Sequence, residues 1–264
     1  MRTTSDRGCE GDSIDRCEGE EIDSSNEDQD ALHLVPVRCV ERMLASSQEK
    51  VDKVAEEARL DVIVNSRAAI TLRPLPPQVL ELLTGFLVCE GYVQNMEEIV
   101  SLEVEGERAF CRTSRPGARR LPISPIEGMD FSLKLEDLMS AMERINLGSR
   151  LWRLTGATHS SMIVDGNGRS LTFSEDVSRS CAVDKAVGSA LLEGIDLSRS
   201  ALLTTGRLSE MMVMKAARAG IPIVASRASA LASGIFLAKE LNMTLAAFVR
   251  SPAANIYAGE ERIR

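Results

Sequence analysis

Three clusters of small, hydroxylated and charged side chains fall between Leu154 and Lys215. The first reads L-T-G-A-T-H-S-S-M-I-V-D-G-N-G, the second S-E-D-V-S-R-S-C-A-V-D-K and the third L-L-T-T-G-R-L-S-E-M-M-V-M-K. Each stands where an apolar run gives way to a helical pattern. In an α/β sheet those places are strand C-termini, where ligands bind. A regular alternation follows, with strands predicted at 201–204, 221–225 and 244–249 and helices at 209–219 and 229–241. The strand starts are about twenty residues apart, the βαβ spacing of a parallel sheet. The first strand ends in Thr205-Gly206-Arg207, the second in Ser226-Arg227-Ala228-Ser229 and the third in Arg250-Ser251-Pro252. A parallel sheet would set these ends along one edge, two of them at helix N-termini with free backbone N–H groups. Arginines and hydroxyls at such an edge suit an anion, phosphate or pyrophosphate foremost.

Other candidates are single residues. His159 is one of two histidines and follows Thr155-Gly156-Ala157-Thr158. It reads equally as a hydrogen-bonded structural residue or as a ligand contact and proton donor. Asp176, Arg179, Asp184 and Lys185 crowd a helix start, either as a salt-bridged terminus or as part of a site. An enzyme using His159 and Asp176 as acid and base is one possible reading. The six cysteines are Cys9, Cys17, Cys39, Cys89, Cys111 and Cys181. No two are spaced C-x-x-C, so neither a zinc ribbon nor a thioredoxin-like pair is readable. Cys181 is expected to face a helix interface. Cys111 opens a loop, residues 111–130, with four arginines, three prolines and two glycines. Neighbouring arginines there would lower its pKa, which makes it the candidate catalytic thiol. No P-loop, G-x-G-x-x-G or zinc-deaminase signature is present.

The elements that must carry these residues follow from composition. The chain has 264 residues, 44% hydrophobic and 3% aromatic, enough for a core built from Leu, Ile, Val, Ala and Met. So few aromatics argue against a stacking platform for nucleic acid. The net charge is -8, but residues 1–30 hold 11 of the 39 acids and three of the 31 bases, which leaves 28 of each elsewhere. The body is therefore not a basic nucleic-acid binder. Residues 1–30 are expected to be a disordered acidic tail, and residues 31–130 a small α/β lobe ending in the basic loop. That lobe shows two hairpin patterns, 60–72 and 99–110, flanking a helix that opens after Pro74-x-Pro76-Pro77 and presents Val79, Leu80, Leu83, Phe86 and Leu87 on one face. Residues 131–264 are expected to form the larger α/β domain. Within it, Leu135, Leu138, Met139, Met142 and Ile145 predict a helix ending at Gly148, and residues 162–173 a hairpin with a Gly-rich turn. Trp152, the sole tryptophan, is expected in the core. Scattered cysteines and the absence of an apolar run of membrane length predict a cytoplasmic protein without a membrane partner.

These motifs together resemble the FdhD family, the formate dehydrogenase accessory proteins. T-G-A-T-H-S-S is similar to the family's T-G-x-T-H-x-A, and E-D-V-S-R-S-C-A-V-D-K to E-D-V-G-R-H-N-A-V-D-K. T-T-G-R-L-S resembles S-G-R-x-S, L-T-G-F-L-V-C-E-G resembles G-F-L-x-x-E-G, and T-L-A-A-F-V-R-S-P-A-A-N-I-Y resembles G-F-x-R followed by N-V-Y. The resemblance implies a cytidine-deaminase-like layered α/β fold with a largely parallel sheet and no protein-ligated metal. It implies a sulfur carrier, a sulfurtransferase acting in molybdenum cofactor biosynthesis. Sulfur would pass as a persulfide from a cysteine desulfurase to the molybdenum bis-guanine-dinucleotide cofactor of formate dehydrogenase. A homodimer is likewise implied. The family's cofactor-contacting G-F-x-R segment maps to Phe248, Val249, Arg250, Ser251, Pro252 and Ala253. With His159, Gly206, Arg207, Ser226 and Arg227 these make the expected binding set for the guanine-nucleotide ligand. The family's C-x-x-C loop has no match, and Ser178, Ser180 and Met211 stand where the family has Gly, His and Glu. Sulfur transfer through Cys111 and cofactor binding without transfer therefore both remain open.

Overall fold

A computed structural model describes residues 31–41, 46–115, 120–126 and 131–264. The expected acidic tail at 1–30, and 116–119 and 127–130 of the expected basic loop, lie outside the described residues. The described residues form three sheets. Strands β1 (Leu32–Glu41) and β2 (Ser46–Ala55) make a two-stranded antiparallel ribbon. A four-stranded sheet of order β4-β3-β6-β5 follows, from β3 (Leu60–Val64), β4 (Arg67–Leu72), β5 (Ile99–Glu105) and β6 (Arg108–Thr113). It consists of the two expected hairpins. Asn65 and Ser66, both at positive φ, turn the first; Gly106, at φ 58°, turns the second. A parallel pairing of β3 with β6 joins them.

The third sheet has six strands, ordered β12-β11-β10-β9-β7-β8: β7 (His159–Val164), β8 (Ser170–Asp176), β9 (Ala201–Thr204), β10 (Ile223–Ser226), β11 (Thr244–Arg250) and β12 (Ala253–Ala258). The expectation of a largely parallel sheet needs correction. Only β9–β10 and β10–β11 pair parallel, whereas β7–β8, β7–β9 and β11–β12 pair antiparallel. Tight turns impose two of these pairings, because a short connection cannot return a strand in the same direction. One turn is at 165–169 and the other at Ser251-Pro252.

Both faces of this sheet are covered, which explains its continuous apolar runs. Helix α2 (Leu135–Gly148) packs Leu138, Ala141, Met142 and Ile145 onto one face, against Met162, Leu203 and Ala225. Helices α4 (Arg179–Leu192), α5 (Glu210–Arg218) and α6 (Ala232–Glu240) cover the other, against Ile163, Leu202, Val224 and Leu245. Helix α1 (Val79–Cys89) fastens the four-stranded sheet to this body. One face buries Leu82, Leu83, Phe86 and Leu87 against β3 and β6. At Gly85 it crosses α4 at Gly188. A Cβ on Gly85 would lie 1.8 Å from the Asp184 carbonyl oxygen, so only glycine permits this approach. The short helix α3 (Arg150–Thr155) follows α2 directly and ends at Gly156, in the left-handed region at φ 70°.

Two sequence expectations change here. Cys111 does not belong to a basic loop. It sits in β6 at 1% exposure, within the core between β3 and α1. Burial pushes its thiol up to about 12, the reverse of the lowered value expected from nearby arginines. Two of the segment's three described arginines are engaged elsewhere, Arg115 with Glu98 at 2.7 Å and Arg120 with Glu90 at 2.9 Å. Trp152, expected in the core, is 48% exposed. Cys181 is buried as expected.

Candidate anion-binding site

The six-stranded sheet brings all three polar clusters to one edge. β9, β10 and β11 are parallel, so Thr204, Ser226 and Arg250 end on the same side. β7 is antiparallel to β9, so its first residue, His159, joins that side; Ser161 pairs with Thr204. β8 is antiparallel to β7, so its last residue, Asp176, lies opposite His159. The motif T-G-A-T-H thus reaches the ligand edge only because its strand runs against the parallel trio.

A cleft of about 380 Å³ opens at this edge. Helix α3 and the turn after it contribute Trp152, Gly156 and Thr158; the strand ends contribute His159, Thr205 and Arg227. Among the described residues no carboxylate lines it. Glu175, which accepts from the hydroxyl of the cleft residue Thr158, is consumed. Its two oxygens accept from the Leu151 and Trp152 N–H groups at 3.0 Å and from the Thr158 hydroxyl at 3.0 Å. This carboxylate holds the N-terminus of α3, satisfying free N–H groups and the positive end of the helix. It therefore sets the position of Trp152.

A hydroxyl network fixes the strand ends. Thr205 Oγ1 accepts from the Ser160 N–H at 3.0 Å and lies 3.3 Å from His159 Nδ1. The Thr205 hydroxyl keeps its own proton to donate to Nδ1; in that tautomer the His159 Nε2 proton is available as a donor. Burial, then the charges of Arg179 and Arg207, holds the His159 imidazole below its ordinary value. Neutral histidine, placed among arginines, avoids adding to their repulsion until an anion arrives. Arg179 packs over Gly206: a Cβ there would lie 2.8 Å from that of Arg179. The buried Nε of Arg179 has no hydrogen-bond partner among the described residues. No ion pair engages Arg179, Arg207 or Arg227 among the described residues. A buried guanidinium nitrogen lacking an acceptor is what a bound anion would satisfy.

The expected binding set divides. His159 and Arg227 line the cleft, and Gly206 and Arg207 flank it. Ser226 is instead fully buried, donating to the Gly206 carbonyl at 2.7 Å and accepting from the Ala228 N–H at 2.9 Å, so it shapes the loop bearing Arg227. Val249 is fully buried in the core under α2 and does not reach the cleft. Phe248 has φ 52°, a strained value for a bulky residue. Its N–H donates to the Ala228 carbonyl at 3.0 Å, which seats it beside the Arg227 loop. The Arg250 guanidinium lies 6.0 Å from the Phe248 ring centroid. Ser251, Pro252 and Ala253 form the exposed turn beyond; none of residues 248–253 lines the cleft itself.

The remaining charges of the second cluster are structural. Asp176 is fully buried; it accepts from Leu75 N–H at 3.0 Å and Ser178 N–H at 2.9 Å and pairs with Lys185 at 2.7 Å. Its oxygens are thus spoken for, which corrects the reading of His159 and Asp176 as an acid–base couple. Asp184 pairs with Lys215 between α4 and α5. Sequence reasoning missed Trp152 and Thr205 as site residues, and named Arg179 only as one of four charges that were either a salt-bridged helix start or part of a site.

A mixed α/β protein with a cleft at its parallel strand ends, lined by His159 and Arg227, is thereby defined. Its relatives sharpen this. The profile of the FdhD/NarQ family matches residues 55–124 and 115–264, and the chain belongs to that family. It is similar to the sulfur carrier protein FdhD of Methanothermobacter thermautotrophicus, 30% identical over 230 residues, covering 80% of this chain and 92% of that one. It is also similar to the sulfur carrier protein FdhD of Bacillus pumilus, 30% identical over 245 residues, covering 81% and 91%. A crystal structure described as a formate dehydrogenase accessory protein from Desulfotalea psychrophila superposes with a TM-score of 0.76 at 32% identity, covering 89% of this chain and all of that one. Among the described residues no helix is long and apolar enough to cross a membrane.

Proposed function

We propose that this chain serves formate dehydrogenase maturation by holding a molybdenum bis-guanine-dinucleotide cofactor at the strand-end cleft. The observation that carries this reading is that Arg179 and Arg207 stand close enough to hold His159 below its ordinary value, beside a cleft lined by His159 and Arg227 and, among the described residues, by no carboxylate. A dinucleotide carries a pyrophosphate, and planar guanidinium forks match its oxygens bidentately. The cofactor is cargo, and the reacting metal chemistry belongs to it. The chain's part is to bind the pyrophosphates, orient them by the Thr205–His159 network and keep carboxylates away. Protein isolated from cells that make this cofactor should carry molybdenum and guanine in a one-to-two ratio, measured by metal analysis and nucleotide chromatography. Molybdenum without guanine would contradict the reading.

Sulfur transfer from a cysteine desulfurase is a second reading, favoured by what the relatives are called. Cys111 is a poor carrier for it: a thiol pushed up to about 12 supplies almost no thiolate near neutral pH. Among the described residues Cys39 is the one cysteine not fully buried. Any persulfide is expected on a thiol other than Cys111. After incubation with a desulfurase and cysteine, an adduct of about 32 Da, one sulfur, should therefore persist in Cys111→Ser. Its loss in that variant would return the role to Cys111.

A further inference from the structure

We infer that Trp152 is the platform on which a purine base of the bound nucleotide stacks, which makes it the residue that distinguishes a nucleotide from a bare pyrophosphate. The inference rests on the nucleotide-binding reading above and extends it to one side chain. Trp152 is the sole tryptophan, and it is 48% exposed although it stands in a helix whose neighbour Leu151 is buried. An indole left half in water forgoes much of the burial that large aromatics otherwise contribute. Here the exposed surface does not face open solvent at random but lines the cleft that also holds Arg227 and His159.

The surroundings suit a flat ring. Gly156 follows Trp152 by four residues, so the two stand on the same face of α3 one turn apart. Gly156 is at φ 70°, and a Cβ there would meet nothing within 4 Å. The helix end therefore leaves open space beside the indole. The Gly156 N–H is spent on the Trp152 carbonyl at 2.6 Å and the Ala157 N–H on the Thr155 hydroxyl at 3.1 Å, so this wall presents few competing donors. Asn146, at the end of α2, also lines the cleft; its amide offers both a donor and an acceptor, which a base edge can pair with. The cleft thus has an aromatic and amide portion and a cationic portion, the division a nucleoside diphosphate requires. Glu175 holds the backbone of α3 at Leu151 and Trp152, so the helix that carries the indole is in place before the ligand enters. A preplaced stacking surface loses little conformational entropy on binding.

The test is a titration of GDP and of inorganic pyrophosphate into the full chain, followed by calorimetry and by Trp152 emission, in wild type, Trp152→Ala and Trp152→Phe. GDP is expected to bind more tightly than pyrophosphate and to quench Trp152 emission, while pyrophosphate leaves it nearly unchanged. Trp152→Ala is expected to weaken GDP about 5- to 100-fold, the usual range for losing a base–aromatic stack. Pyrophosphate affinity should stay within about twofold, and Trp152→Phe should recover most of the GDP affinity. If Trp152→Ala weakens both ligands equally, or GDP and pyrophosphate bind alike, the inference fails and the anion site stands. If neither ligand binds wild type, both fail together.

Discussion

Lys215→Ala will lower the stability of the folded chain by about 3–5 kcal/mol, the range for leaving one member of a buried ion pair alone. The Lys215 ammonium stands 2.8 and 2.9 Å from the two oxygens of Asp184 and 2.9 Å from Glu90. Its side chain and that of Asp184 are almost wholly buried where α1, α4 and α5 meet. Burial raises the Asp184 carboxyl to about 6 even with Lys215 beside it, and Lys215 pulls it down. Removing the lysine removes that pull, so the carboxyl rises further. The pH dependence follows from the sign. In the variant the native state binds a proton that the unfolded state, with an ordinary carboxyl, does not, so stability falls as pH rises through the raised value. The deficit against wild type should therefore be smaller at pH 5 than at pH 8. Urea denaturation at the two pH values measures it. The double variant Asp184→Leu/Lys215→Met removes both charges and should regain much of the loss. A double variant as unstable as Lys215→Ala would show that lost packing, not the stranded carboxylate, is responsible.

The parts of this fold visible in the sequence are the local ones. The alternation β9-α5-β10-α6-β11 could be read because each apolar run is closed by a Gly, Ser or Arg cluster and each helix shows its own period. The 60–72 and 99–110 hairpins could be read because their turns carry Asn-Ser and Gly. Strand order could not, since the insertion of β7 between β8 and β9 depends on contacts distant in the chain. That insertion moves His159 to the ligand edge. Cys111 was legible but misread. Arg108, Ala109, Phe110, Cys111 and Arg112 alternate in exposure as a strand does, yet the prolines and arginines that follow draw the eye to a loop. Trp152 was assigned by the default for its residue type, which a half-exposed cleft wall overrides. The charges of E-D-V-S-R-S-C-A-V-D-K gave no sign of their separate fates. Glu175 holds a helix end, Asp176 and Lys185 pair in the interior, and Arg179 alone is left for a ligand.

The arginines at the strand ends are expected to produce the largest functional effect. Arg207 and Arg227 are exposed, so replacing both with alanine should leave the fold intact, with a melting curve matching wild type. Each stands to make charge-assisted hydrogen bonds worth about 1.5–3 kcal/mol. Losing both should weaken an anionic ligand by on the order of 100-fold or more, even if the two effects are not strictly additive. Wild-type binding should also weaken as salt rises, and the variant's residual binding less so. The most direct measurement of the central claim is the affinity of GDP for the full chain, wild type against Arg207→Ala/Arg227→Ala, by calorimetry at low salt. Wild type should bind GDP saturably, and the folded variant about 100-fold more weakly. Equal affinity in the two proteins would place the nucleotide away from this edge and contradict that claim.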